Sequence, residues 1–295
     1  MLTFSNLINR FPGAIAQGLI WGIMALGVYI TFRVLQESDM TADGSFATGG
    51  SVAVMMIVKG INPLIALLCA FLVGILTGIV TGLIHTKLKI PAILAGILVQ
   101  FGLYSINLHI LDMSANVSCN PDRNNVLLSL RNIPKAIGVG VIFAIALIAI
   151  MYWYFGTEQG CAIRATGNNN DMSKAQGINI DNMKIIGFGL GNGLVALAGG
   201  LMAQYQGYTD INMGRGAIVI GLAAIIIGEV LSELIFKKGC SFYTRLTFVI
   251  IGGIIYYVIM NVVLWLRVDA NDLKLATALI VMICLAIPNL KKGAK

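Results

Sequence analysis

Two runs in the middle of the chain, AIGVGVIFAIALIAIMYWYFGT (136–157) and IIGFGLGNGLVALAGGLMAQYQGYT (185–209), contain no charged residue. Each is long enough to cross a bilayer as a helix, which takes about 20 apolar residues. A helix satisfies its own backbone hydrogen bonds in lipid, and runs of this length far exceed a barrel strand. Such runs recur along the whole chain. Spans are expected at 11–32, 45–58, 63–84, 90–111, 135–155, 185–207, 216–235, 246–266 and 274–289. The chain is 58% hydrophobic and 11% charged, whereas a soluble domain carries about a quarter charged residues. The expected fold is an all-α polytopic membrane protein, a single transmembrane domain over 1–295 with about 8–9 transmembrane helices.

One span is short. SFATGGSVAVMMIV (45–58) falls below the length of a crossing helix, so it is tilted, broken or re-entrant. The first run, 11–32, is longer than a signal-peptide core and has no small-residue cleavage site after it, so it is expected to remain as a span. The five cysteines (69, 119, 161, 240, 284) form no CxxC pair, and His85 and His109 lie far apart, so no metal site is expected. The net charge of +7 needs no nucleic acid to explain it, because membrane proteins concentrate Lys and Arg on the cytoplasmic side. The basic loops HTKLK (85–89) and FKKGCSFYTR (236–245) and the tail KKGAK (291–295) are therefore placed inside. Counting spans puts 158–184 inside as well, and 112–134, 208–215 and 267–273 outside. If 45–58 crosses fully, the N-terminus is outside; if it is re-entrant, inside.

The polar segment EQGCAIRATGNNNDMSKAQGINIDNMK (158–184) interrupts the apolar pattern and carries helix punctuation. Asn168 or Asn169 is placed to cap a short helix after Gly167. Asp171 falls in its first turn and Lys174 near its end, the signs the helix dipole favours, and Gly177 can terminate it. Met172, Ala175 and Ile178 give it a narrow apolar edge, and Arg164 and Lys184 flank it. The segment is either a docking helix or a solvated connector; its length favours docking.

At these residues the chain resembles ABC-importer permeases of the branched-chain amino acid and ribose type. Their coupling segment runs R-A-x-G, a polar helix, A-x-x-x-G-I-N, then a basic residue. Arg164, Ala165, Gly167, Ala175, Gly177, Ile178, Asn179 and Lys184 match it. TADGSFATGGSVA (41–53), TGLIHTKLKIPAILAGILVQFGLYSINLHI (81–110), GNGLVALAGGLMAQYQGYTDINMG (191–214) and IVIGLAAIIIGEVL (218–231) resemble the branch linked to tryptophan or tyrosine uptake. The resemblance implies a permease subunit of an importer in the cell membrane. It also implies a separate ATPase dimer that binds ATP and Mg, an extracytoplasmic solute-binding lipoprotein and a second permease copy, in a homodimer rather than with a paralogue. GGSVA has a second glycine where the family pattern has alanine, and the outer segment NVSCNPDRNNVLLSLRN (116–132) matches no family pattern. The chain contains no GxxxxGK[ST] phosphate loop, as expected if it borrows ATP hydrolysis and is not itself an enzyme.

Polar residues within spans are costly and are functional candidates. Asp43, Gly44 and Ser45 open the short second segment. They either cap it or, if it is broken, present its amides to a pathway. Gln100, Tyr104 and Asn107 share one face of the fourth span and suit either a wet pathway or interhelical hydrogen bonds; Asn192 and Gln204 invite the same two readings. Glu229 and Glu233 lie one turn apart, with Lys237 a turn further. Glu229 either joins such a helical pair or gates the inner end. The glycines at 74, 78 and 82 fall on one helix face and suit close packing. The rival classes are an importer of a nucleoside, sugar or vitamin, an ion-coupled secondary transporter, and a membrane scaffold. The second requires midplane ionisable groups, of which the sequence offers few.

Overall fold

The computed structural model describes residues 4–120, 126–236 and 241–265, with isolated positions at 275, 278, 279 and 282. Apart from those four positions, the expected last span 274–289 lies outside the described residues, as do the loop 267–273, the tail 291–295, Lys237, Cys240 and Cys284. The rest is a helical bundle: α1 (Phe4–Tyr29), α2 (Thr41–Val58), α3 (Pro63–Lys87), α4 (Ala92–Ile110), α5 (Ile133–Gly156), α6 (Glu158–Asn168), α7 (Asn170–Ala175), α8 (Ile180–Gln206), α9 (Ala217–Ile235) and α10 (Phe242–Trp265). Seven helices are long and apolar enough to cross a membrane. A π-helical turn, Ile30–Val34, extends α1. Two short strands, β1 (Asn116–Ser118) and β2 (Tyr208–Asp210), pair antiparallel at one end.

Local chemistry sets most helix ends. Asn62 caps α3, its side chain accepting the Leu64 N–H at 2.9 Å, with Pro63 in the first turn where no N–H is needed. Asn179 caps α8 through the Asn182 N–H, and Gly207 ends that helix at φ +78°. α8 is the axis of the bundle, with most of its length buried against α1, α2 and α3. The glycines at 74, 78 and 82 do lie on one face of α3, stacked along α8. At Gly49 of α2 the approach to α8 is very close: a Cβ there would fall on the Ala196 carbonyl. Outward, Leu64, Leu68, Leu72 and Leu76 of α3 and Ile142, Ile145 and Trp153 of α5 are exposed, as a lipid-facing surface requires.

The structure settles the short second segment. α2 begins at Thr41, earlier than the apolar pattern suggests, because it is buried by protein and has no lipid face to keep apolar. Its neighbours give its course. Thr41 meets Thr81 at 2.7 Å, Ser45 meets Thr77 at 2.8 Å, and Val54 and Ile57 cluster with Ala66 and Ala203. It therefore runs beside α8 from the end carrying α6 and α7 to the opposite end. α1 runs the other way, with Tyr205 of α8 near Gly13 and Gly191 near Gly27. The start of α1 thus lies at the end of the bundle opposite the 158–184 segment.

The broken helix is α9. β2 lies at the outer-loop end, and the chain then turns back into the bundle, where a Cβ at Gly214 would fall on the Asp43 carbonyl. α9 starts beside Asp43, two residues from Ser45, which bonds Asn192 near the centre of α8. Its N-terminus is therefore at mid-depth. Asp43 accepts the N–H groups of Gly216 and Ile218, both at 2.9 Å. The expectation that Asp43 caps its own helix is corrected: the carboxylate caps α9, while the Thr41 N–H in the first turn of α2 goes to Asp39 at 2.9 Å. Sequence spacing favoured the adjacent helix, but the orphan amides that needed an acceptor at depth belonged to a distant one.

Candidate functional site

Two regions carry the polar chemistry: an elbow at one end and a cavity at mid-depth. The elbow is two helices, not one helix in a loop. Thr157 breaks α5 and caps α6, so Arg164, Ala165 and Gly167 lie in a helix of their own. Asn169 turns the chain, its side chain accepting the Met172 N–H at 3.0 Å to start α7. Asp171 occupies the first turn and Lys174 the last. Gly177 closes the elbow at φ +79°, where the Ile178 N–H reaches the Ser173 carbonyl at 3.1 Å. Met172 is 61% exposed, and Asn168 and Ala175 are exposed too, so α7 presents a small apolar edge away from the bundle.

The flanking cations do not flank α7. Arg164 lies over the Phe242 ring, 5.6 Å from its centroid, beside Cys161. Lys184 is in the first turns of α8 and pairs with Glu37 in the linker between the π-helical turn and α2. His85 Nε2 lies 3.5 Å from the same carboxylate, and its Nδ1 meets the Ile90 carbonyl at 2.8 Å. Glu37, Lys184 and His85 thus clasp the linker to α8 and α3. Gly167 of α6 sits on the Val34 carbonyl just before that linker, with no room for a side chain. Beyond the clasp, Asp39 is buried and accepts Asn192 Nδ2 at 2.6 Å, while Ser45 Oγ donates to Asn192 Oδ1 at 2.7 Å. A continuous set of contacts therefore joins the elbow to the centre of α8.

Burial pushes the Glu37 carboxyl up, but hydrogen bonds to His85 and Lys184 outweigh it and hold the group below the usual glutamate range. A carboxylate so lowered stabilises the fold above its unfolded pKa of about 4.3, and the contribution is lost as pH falls through the folded value. Acidification below about pH 4.3 should therefore lower the melting temperature of the wild type more than that of Glu37→Gln. Parallel curves in a differential scanning fluorimetry series would show that the clasp contributes nothing.

The cavity has a volume of about 520 Å³. It gathers Asp43, Gln100, Tyr104 and Asn107, which the sequence had singled out, and adds Phe101, Asn212 and Arg215. Asn107 is 1% exposed and its Oδ1 has no hydrogen-bond partner. Arg215 is exposed at mid-depth, and among the described residues no carboxylate pairs with it. Asn212 also lines a second, polar cavity toward the β1–β2 end, with Trp21, Asn116, Gln206 and Asp210. The remaining candidates lie elsewhere. Ser45 and Asn192 are in the interhelical node. Gln204 accepts the Leu127 N–H at 3.1 Å. Glu229 pairs with Arg33 of the π-helical turn, a partner far away in sequence; the helical pairing with Lys237 falls outside the described residues.

Sequence reasoning missed Asp39, Glu37, Arg215 and Asn212. Arg215 had one signal: a cation between two glycines (GRG, 214–216) directly before an apolar run.

Comparison with known proteins agrees with this arrangement. Residues 12–286 match the family model for the branched-chain amino acid transport system / permease component. The chain is 40% identical over 283 residues to a tyrosine transport system permease protein of Clostridioides difficile (strain R20291), covering 95% of this chain and 91% of that one. It is 25% identical over 294 residues to the ribose import permease protein RbsC of Escherichia coli (strain K12), covering 98% and 87%. Among solved structures, PsaBC from Streptococcus pneumoniae in complex with Fab shares the fold, with a TM-score of 0.53, 15% identity, and coverage of 96% of this chain and 95% of that one. With seven candidate spans among the described residues, the chain is a multi-pass membrane protein and belongs to the permease component family of branched-chain amino acid-type transport systems.

Proposed function

We propose that this chain is the permease subunit of an ATP-driven importer that passes a small amino acid, with tyrosine the first candidate, into the cytoplasm. The observation that carries the reading is the contact path from the elbow to the cavity helices. α6 abuts the end of the π-helical turn at Val34, the linker is clasped at Glu37, and Asp39 and Ser45 hold Asn192 of α8. A push on α7 would reach α2 and α8 through this path. α7 projects an exposed Met172, the form of contact that a groove on an ATPase subunit can grip. The likeness to a tyrosine permease over 95% of the chain supports the substrate; the likeness to a ribose permease is weaker. A solute-binding lipoprotein would deliver at the β1–β2 end, and two permease copies would complete the pathway. In this reading ATP and Mg are held by the ATPase pair, and no covalent chemistry takes place in this chain.

The test is co-expression of the tagged chain with the ATPase and binding protein encoded beside it, followed by reconstitution in liposomes. We expect the ATPase to co-purify and tyrosine uptake to need ATP. Gly177 has φ +79°, so Gly177→Pro breaks the elbow, and we expect it to lower substrate-stimulated ATPase activity at least about tenfold with membrane insertion intact. A tagged chain that recovers no ATPase, or uptake that persists on an ion gradient after ATP is depleted, would overturn the proposal in favour of a secondary transporter.

A further inference from the structure

The mid-depth cavity contains more than a pathway needs. A guanidinium exposed at the centre of a bundle cannot face lipid, because charge there is expensive. Arg215 is such a group, and no carboxylate among the described residues pairs with it. Its chain neighbour Gly216 donates its N–H to Asp43, so Arg215 stands at the N-terminus of α9. The positive end of the 19-residue helix is already met there by the Asp43 carboxylate. Asp43 lies on the same cavity wall, where its carboxylate accepts the N–H groups of Gly216 and Ile218 and is also hydrogen-bonded by the Ala217 backbone. The cavity thus presents an open cation and a fixed anion to one partly open space. The Asn107 carboxamide is the third element. It is buried, its Oδ1 lacks a partner, and it borders the same space. A buried polar atom without a partner costs about 1–3 kcal/mol, so a site that retains one is built for something that arrives. Phe101 and Tyr104 supply an aromatic wall, and about 520 Å³ lies within the range of small-molecule sites, roughly 300–1,000 Å³.

From this juxtaposition we infer that the cavity binds a zwitterionic α-amino acid. Its carboxylate sits on Arg215, its ammonium lies toward Asp43 and the Asn107 carboxamide, and an aromatic side chain packs on Phe101 and Tyr104. This assignment rests on the amino-acid importer proposed above and names the residues that read its substrate. A neutral sugar would leave the guanidinium unmatched, and an amine without a carboxylate would place two cations in one cavity. Both are disfavoured by the same electrostatics that admits the zwitterion. The polar cavity sharing Asn212 gives such a solute a route from the β1–β2 end.

The test is equilibrium binding of tritiated tyrosine to the permease–ATPase complex in nanodiscs, alongside ATP-driven uptake in liposomes with the binding protein present. A charge-assisted contact is worth about 1.5–3 kcal/mol, so Arg215→Gln should weaken tyrosine binding at least about tenfold, and Arg215→Lys should recover most of the loss. Unlabelled tyrosine should compete and tyramine, which lacks the carboxylate, should not. Both variants should elute and melt as the wild type does, because Arg215 has no ion pair to lose among the described residues. Tyrosine binding unchanged in Arg215→Gln, or competition by tyramine equal to that of tyrosine, would overturn the assignment. So would a wild-type complex that imports tyrosine but binds none in the absence of the binding protein. A complex that imports no tyrosine at all removes the substrate proposed in the preceding subsection, and this assignment falls with it.

Discussion

Replacing Gly49 by valine is expected to eliminate nearly all folded protein, while the same change at Gly138 leaves yield and melting temperature unaltered. Both glycines lie inside long helices, so helix propensity affects the two alike. Their surroundings differ. A Cβ at Gly49 would fall on the Ala196 carbonyl, backbone against backbone, whereas at Gly138 nothing lies within 4 Å. No rotamer change relieves a clash between two helix backbones; α2 and α8 must move apart. In lipid these helices are held by close packing and interhelical hydrogen bonds, since burial away from water adds little. Separation also pulls Ser45 off Asn192 and Asn192 off Asp39. Overpacking together with stranded polar groups should cost more than about 3 kcal/mol, a large share of the roughly 5–15 kcal/mol that holds a domain together. Monodisperse protein recovered by size-exclusion chromatography measures the result. Equal yields from both variants would mean that the close approach is not structural.

Asn192→Leu has the second-largest expected effect. Leucine fills the same space but offers no hydrogen bond, so Asp39 Oδ2 and Ser45 Oγ each lose a partner at positions almost sealed from water. Burial already pushes the Asp39 carboxyl up, against the hydrogen bonds from Thr41 and Asn192 that pull it down. Losing one of those bonds raises it further and adds about 3 kcal/mol of instability at neutral pH. By linkage the penalty should shrink as pH falls and Asp39 takes up a proton, because a group with a raised folded pKa destabilises the fold only above its unfolded value. The double variant Asp39→Ala, Asn192→Leu should be less destabilised than the sum of the two single changes, since no charge is left stranded. Additive effects in that cycle would show that the two side chains do not act as a pair. If the path from elbow to cavity is as proposed, Asn192→Leu also loses substrate-stimulated ATPase activity, even at temperatures where it stays folded.

Much of this architecture could be read along the chain wherever the cause was local. Long apolar runs identified α1, α3, α4, α5, α8, α9 and α10 because lipid leaves a helix no other choice. Asn169 and Gly177 were legible as punctuation, since capping depends on residues within one turn of each other. α2 was not legible as a full-depth helix. Its lining of Ser, Thr and Gly looks too polar for lipid, and only the presence of α3 and α8 around it explains that composition. For Asp43 the type of interaction was anticipated but the partner was not, because the amides it satisfies lie 173 and 175 residues away. Glu229 and Arg33 are separated by 196 residues, and nothing in either neighbourhood announces the pair. Among the pathway candidates, Gln100, Tyr104 and Asn107 were found through helical spacing on one element. Arg215 was hidden in a segment whose outer-loop position suggested water, not membrane depth.

That depth has a consequence for how a leak is prevented. Below Arg215, α9 runs through the inner half of the membrane. From Ala217 to Glu229 it is about 18 Å long at 1.5 Å per residue, against a hydrocarbon core of about 30 Å. In the importer proposed above, the charge-free stretch of α9 that would help keep ions out between cycles is thus thinner than the bilayer. A thin plug opens fully with a small tilt, and the membrane voltage falls steeply across it. A zwitterion has no net charge for that voltage to push, whereas a stray cation or anion does, so a barrier this short suits cargo whose charges cancel.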